Sequence, residues 1–343
     1  MSTVTAKHNI KAIVTAIKAE EQALRARYPI LDWQNGIAMV ILLVSFGALI
    51  GVAALYYFAL IPAWLCIILA ALITSVSHEL EHDLIHKQYF SHRPFIHNVM
   101  MLVVWLMRPN TVNPWYRRKI HLHHHKVSGT EQDLEERLVG NGIKSPWLRG
   151  LVIVDGLLGL LINAKRFSQE IRGFRFLQVF NAGFPITTAY FAILYGVIAY
   201  HALQWLHPFA VPQWGAELLA LAEFLMVVLI VPNMIRSTSL NLITSSMHYY
   251  GGVSNVLEQT HVLTSRWFLP FQLFCFDFGR THTIHHFVPN QPFYIRQWIS
   301  KKIHPIMAEH GVRFNDLESI RHANKYPAAT PVEQTDKVAL VKE

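Results

Sequence analysis

Two stretches of this 343-residue chain contain no lysine or arginine at all: residues 37–76 and residues 181–232. The first also lacks aspartate and glutamate, and the second holds only Glu217 and Glu223. Apolar runs of that length do not suit a water-soluble fold, in which about a quarter of all residues are charged; here the share is 15%. One helix crosses the ~30 Å hydrocarbon core of a bilayer in about 20 residues, so each stretch is about twice too long for a single crossing. Each reads instead as two helices joined by a turn, at residues 59–62 in the first and 207–214 in the second. Spanning helices are expected at about 37–60, 63–86, 184–203 and 216–236.

The 30 basic residues then fall into three blocks, with 5 in residues 1–36, 14 in 77–180 and 11 in 233–343. Four crossings put all three blocks on one side, and the positive-inside rule makes that side the cytoplasm. Both ends of the chain share it; in a bacterium the membrane is the cell inner membrane. The net charge of +8 is thereby explained as topology and contact with anionic membrane lipids. No basic motif interleaved with aromatics points to nucleic acid. In residues 1–36, Ile10, Ile13, Val14, Ile17 and Leu24 recur at helical spacing among Lys7, Lys11 and Lys18, the pattern of an amphipathic helix on the cytoplasmic face. Cys66 is expected near the outer end of the second helix and Cys275 in a cytoplasmic block, so they form no disulfide. Residues 95–107 and 151–163 are apolar but too short to span. The polar stretch 324–343, with Pro327 and Pro331, is expected to be a disordered tail. The expected fold is an all-α integral membrane protein with four transmembrane helices in two hairpins and a helical cytoplasmic cap. Its segments are 1–36, a membrane domain over 37–323, and the tail.

Twenty histidines stand out in a chain this apolar, and half of them are patterned. The second helix ends in His78-Glu-Leu-Glu-His82-Asp-Leu-Ile-His86; residues four apart share a helical face, so the three imidazoles form one stripe. A second box, His121-Leu-His-His124-His125, puts His121, His124 and His125 on one face at spacings of three and four. His123 points about 200° away from His121 at ~100° per residue and is excluded. The third box, His282-Thr-Ile-His285-His286, repeats the spacing, and His248 follows the fourth helix. Ten candidate ligands are too many for one ion, which takes about three or four from the protein. Two metals are implied. Imidazole suits Zn, Cu, Fe and Ni alike, so the ligands do not name the metal. Glu79, Glu81, Asp83, Glu131 and Asp133 are candidates to orient the rings. Arg117, Arg118 and Arg280 are candidates to bind a carboxylate, and His261 is a further polar residue between His248 and the third box.

In these boxes the chain resembles the membrane fatty acid desaturase superfamily, which includes fatty acid hydroxylases, alkane-oxidising relatives and terminal-alkene-forming fatty acid decarboxylases. The resemblance covers roughly residues 37–293 and rests on an HxxxH box, an HxxHH box and a late HxxHH box. The first box matches in two frames, His78 to His82 and His82 to His86; the second frame, running on to Phe90, is closer to an HDxxHxxxF form. Where the family often has Asn four residues before its helix-four histidine, this chain has Thr244 before His248.

The resemblance implies eight or nine ligating histidines, two iron ions cycling between Fe2+ and Fe3+, and O2 as co-substrate. It implies oxidation of an unactivated C–H bond in a fatty acid, an acyl thioester or a lipid. An external electron donor of ferredoxin, rubredoxin or cytochrome type is implied as well. Desaturation is the leading outcome; decarboxylation to a terminal alkene and hydroxylation are the alternatives. Two rivals stand apart. His78-Glu79-Leu-Glu-His82 spells the HExxH zinc-protease signature, but that reading leaves both HxxHH boxes unexplained. A metal transporter would hold its ligands near the bilayer midplane rather than at the membrane exit.

Overall fold

The computed structural model describes residues 3–326, so most of the expected tail, from residue 327 on, lies outside the described residues. Within them all regular secondary structure is helical. There is no strand, only two isolated bridges, His248 with Thr260 and Val262 with Phe314.

Four helices are long and apolar enough to cross a membrane: Gln34–Tyr57, Ala63–Ile85, Ile186–Leu206 and Gln213–Met247. Three of them match the sequence expectation to within a few residues. The fourth is longer, at 35 residues, or about 52 Å at 1.5 Å per residue, well beyond the ~30 Å apolar core. Its second half turns polar, with Asn233, Arg236, Ser237, Ser239 and Thr244 all buried, so hydropathy alone ends it too early.

In chain order the helices are α1 (Thr3–Arg27), α2 (Gln34–Tyr57), α3 (Ala63–Ile85), α4 (Pro94–Met107) and α5 (Pro114–Val127). Next come α6 (Leu134–Leu138), α7 (Pro146–Val154), α8 (Gly156–Glu170), α9 (Phe176–Asn181) and α10 (Ile186–Leu206). The long fourth span consists of α11 (Gln213–Leu225), a π turn (Met226–Ile230) and α12 (Val231–Met247). The chain closes with α13 (Leu269–Leu273), α14 (Phe278–Phe287), α15 (Phe293–Glu309) and α16 (Leu317–Arg321).

Local sequence explains most starts. Proline at the first helical position, where the missing N–H costs nothing, opens α4, α5 and α7. Asn113 caps α5 by accepting from the Tyr116 N–H at 2.8 Å, one of the orphan donors of a helix start. The apolar run at 151–163 is broken into α7 and α8 by Asp155, whose Oδ1 accepts from the Leu158 N–H at 2.9 Å. Its other oxygen takes the hydroxyl of Tyr195 on α10.

Packing centres on α3. It lies against α2, α4, α5, α12 and α15, and its C-terminal third is buried without interruption from Ser77 to Ile85. The N-terminal helix is present as its spacing predicts, with a different neighbour: Ile13 and Ile17 are fully buried in a core shared with Ile299, Ile303 and Met307 of α15. Its apolar stripe is covered by protein. At the other end Asn324 is buried and donates to the Ser245 and Ser246 carbonyls, so ordered packing runs past residue 323.

Candidate metal centre

All the patterned histidines come from four chain segments that meet at one place. The end of α3 supplies His78 and His82, with His86 as its C-cap residue. α5 supplies His121, His124 and His125, α14 supplies His282, His285 and His286, and His248 caps the C-terminus of α12.

Two groups of four form there. His82, His86, His121 and His285 each offer one nitrogen, all within 4.8 Å of one another; His124, His248, His282 and His286 do the same. The groups adjoin, with ring centroids 5.3 Å apart for His282 and His285 and 5.6 Å for His121 and His124. Either group could hold a metal ion.

The nitrogen spacing fits such an ion. Nε2 atoms face each other at 3.0 Å (His86 and His121), 3.2 Å (His248 and His286) and 3.2 Å (His282 and His286). Two imidazole nitrogens each ~2.0–2.1 Å from a shared metal stand about 3 Å apart when they meet it at roughly a right angle. Both ring nitrogens of His82 are buried without a hydrogen-bond partner among the described residues; buried polar atoms normally have one, and a lone pair aimed at a cation accounts for one of the two.

Four of the outer nitrogens are held from behind by acceptors, whereas His285 Nδ1 faces the Arg296 Nη1 donor at 3.2 Å. His121 Nδ1 lies 2.8 Å from Glu135 Oε2, and His124 Nδ1 lies 2.8 Å from Asp133 Oδ2. His248 Nδ1 donates to the Thr244 carbonyl at 2.9 Å, with Glu136 Oε2 at 3.3 Å. His286 Nδ1 lies 2.9 Å from Gln259 Oε1. An acceptor on Nδ1 fixes the proton there and turns the Nε2 lone pair inward. Asp133 is used twice, since its Oδ1 caps α6 through the Glu136 N–H at 3.3 Å.

Burial keeps most of these rings neutral. It pushes His86 down to about 2 and His248 down to about 3, and holds His121, His282, His285 and His286 well below the usual imidazole range. His124 goes the other way. Burial opposes its charge, but the Asp133 carboxylate and its hydrogen bond raise it to about 10.

The other sequence candidates are placed as follows. His125 stands beside the first group, its Nε2 3.2 Å from His121 Nε2 and 3.0 Å from His285 Nε2. His78 belongs to neither group; it is buried one turn before His82, with both nitrogens unpartnered and its ring 5.5 Å from Phe278. His123 is exposed, as the periodicity requires. His261 is buried away from both groups, bonded to the Ser246 carbonyl at 3.0 Å. Glu79 and Asp83 both pair with Arg296 at 3.2 Å, and Glu81 pairs with Arg108 and with Arg117. Glu131 is exposed. Arg118 is spent on the Leu84 and Ile85 carbonyls, and Arg280 lies 3.6 Å from Asp277.

Sequence reasoning missed Glu135, Glu136, Gln259, Arg108, Arg236 and Arg296. The acidic run Asp133-Leu-Glu135-Glu136, eight residues past the second box, is a signal that could have identified the first two. Nothing local marks the others.

A cavity of about 490 Å³ opens onto the cluster, lined by His82 and His121 of the first group and His124 and His282 of the second. His78 and Phe278 also face it, and much of its remaining wall is apolar, from Leu157, Leu160, Val179, Phe180 and Phe191 among others. The volume lies within the ~300–1,000 Å³ range of small-molecule sites. A protein-family model described as fatty acid desaturase matches residues 58–318. No curated protein matches the chain.

Proposed function

Since the chain belongs to the fatty acid desaturase family, an oxidoreductase family acting on fatty acyl chains, we propose that it is a membrane-bound non-haem diiron enzyme that desaturates such a chain with O2. One observation carries the reading: two adjoining groups of four imidazoles both face a largely apolar cavity. Two irons held there supply the power to activate O2 and break an unactivated C–H bond. The first ion is assigned to His82, His86, His121 and His285, with His125 alongside, and the second to His124, His248, His282 and His286. The imidazoles, neutral once an ion displaces the extra proton of His124, would leave the full metal charge in place, because only the carboxylates behind them carry compensating charge.

The rest of the chain binds and orients. Leu157, Leu160, Val179, Phe180 and Phe191 exclude water along the cavity and hold the hydrocarbon by apolar contact. Phe278, stacked on His282 with ring centroids 4.0 Å apart, limits how that ring can turn. Glu135 and Asp133 hold the Nδ1 protons of His121 and His124, and the Thr244 carbonyl holds that of His248. A separate one-electron carrier of ferredoxin, rubredoxin or cytochrome type supplies the electrons on the cytoplasmic side, where the charge partition puts the histidines. The HExxH protease reading fits less well, since His78 stays out of both groups and Glu79 is paired with Arg296.

The test is expression with a fatty acid of defined length, followed by metal analysis and by analysis of both lipids and headspace. Near two irons per chain and an internal olefin are expected. A single zinc with no oxidised acyl product overturns the proposal. A hydroxy acid, or a volatile alkene one carbon shorter, retains the oxidase and replaces the desaturation.

A further inference from the structure

Arg108, the C-cap residue of α4, is fully buried. One of its terminal nitrogens, Nη1, pairs with Glu81 on α3, the residue before His82. Among the described residues its Nε and Nη2 have no partner. Those two N–H groups point from the same edge of the guanidinium, the edge that grips a carboxylate with two parallel hydrogen bonds. Arg108 also lines the cavity that His78, His82 and His121 line. Burial lowers its affinity for a proton, yet the group holds its charge up to about pH 10.

Among the described residues Glu81 is the one carboxylate in ion-pair distance of that charge, and it is shared. Arg117, which lines the same cavity, shares Glu81 at 3.2 Å and reaches Glu135 at 3.7 Å, but Glu135 already holds His121. Arg236 of α12 is fully buried and, among the described residues, pairs with no carboxylate; it donates to Asn233 at 3.1 Å and Asn110 at 2.8 Å, and its Nη1 has no partner among them. Asn233 in turn donates to the Met107 carbonyl at 3.0 Å, which seats Arg236 against the segment carrying Arg108. Two carboxylates, Glu81 and Glu135, thus stand in ion-pair distance of these three guanidinium groups; Glu136 also lines the cavity, and Glu79 is held by Arg296. A buried cation is retained when an anion meets it, and the cavity is where one can enter.

We infer that the cavity takes a free fatty acid and holds its carboxylate on the Nε and Nη2 edge of Arg108, beside the histidine cluster. Arg108 is then a specificity-determining residue, and the substrate class is the ionised acid rather than an ester or thioester. The apolar wall receives the chain, and the carbons nearest the carboxylate are the ones held beside the histidines. This rests on the oxidase reading for its choice of a fatty chain, but it makes a separate claim about charge.

The test uses the metal-loaded full chain in phosphatidylcholine nanodiscs at pH 8, with 1-13C-labelled dodecanoate and methyl dodecanoate as probes. Wild-type protein is expected to bind the acid at least tenfold more tightly than the ester, with a shifted carboxyl resonance. Arg108→Gln removes the preference, Arg108→Lys keeps part of it, and Arg280→Gln, outside the cavity, leaves it unchanged. Equal binding of acid and ester by wild type overturns the inference, and that comparison decides alone if Arg108→Gln does not fold. An Arg108→Gln variant with normal iron content and an intact preference overturns it as well. Either result leaves iron content and oxidised products untouched, whereas failure of the oxidase reading appears as missing iron whichever probe binds.

Discussion

His124 and His125 are neighbours in the chain, yet they serve different surroundings: His124 stands in the second imidazole group and His125 against His121 and His285 of the first. His285 and His286 divide in the same way. Adjacent residues on a helix differ by ~100°, enough to aim two rings at two points about a ring's width apart. The box spacing made the shared face legible, and it made the exposure of His123 legible too. It could not deal the ligands between two ions, because that depends on which helix lies opposite. Asp133 behind His124 was legible beside its box, but the long-range pairs were out of reach for the same reason: Arg296 meets Glu79 across 217 residues, and Asn324 meets Ser245 across 79. Two substitutions test this scale. Asp133→Asn keeps the shape but loses the charge behind His124, and is expected to weaken metal binding by ~10–100-fold, read by competitive chelator titration. His123→Ala is expected to leave metal content and product formation unchanged.

At the scale of elements, α12 does the most with the least obvious sequence. A π turn at Met226–Ile230 separates its polar half from α11, and such turns concentrate at functional sites. The extra residue rotates everything after it, so that Asn233, Arg236, Thr244 and His248 are all buried. Deleting one residue within 226–230 is expected to undo that rotation and take His248 out of its group, measurable as a loss of most of the bound iron, since the two groups share α5 and α14. Arg296 ties α15 to α3 through Glu79 and Asp83. Arg296→Gln leaves two buried carboxylates without their cation, and is expected to cost about 3–5 kcal/mol, seen as a lowered midpoint in thermal unfolding. The contact of α1 with α15 is plain packing. Ile17→Ala is expected to cost about 2–5 kcal/mol, with proteolysis inside residues 3–27 as the early symptom.

For the whole molecule, the charge partition made the four spans legible from sequence, and the family match agrees with what they carry. Cysteine labelling tests the orientation that the charge partition predicts. Cysteines placed at Leu60 and His207 are expected to react with a membrane-impermeant maleimide in intact cells. Cysteines at Lys7 and Lys301 are expected to react only after permeabilisation. Labelling of all four from one side would overturn the topology.

The alternation of neighbouring histidines between the two groups also bears on how the centre is built in time. α5 and α14 each carry rings of both groups, so neither helix can settle for one ion without settling for the other. The first iron to arrive would fix the roll of both helices and leave the second pocket already shaped. Maturation is then close to all-or-none: chains with two irons and chains with none should outnumber those with one, and a starved cell would accumulate empty protein rather than half-loaded protein.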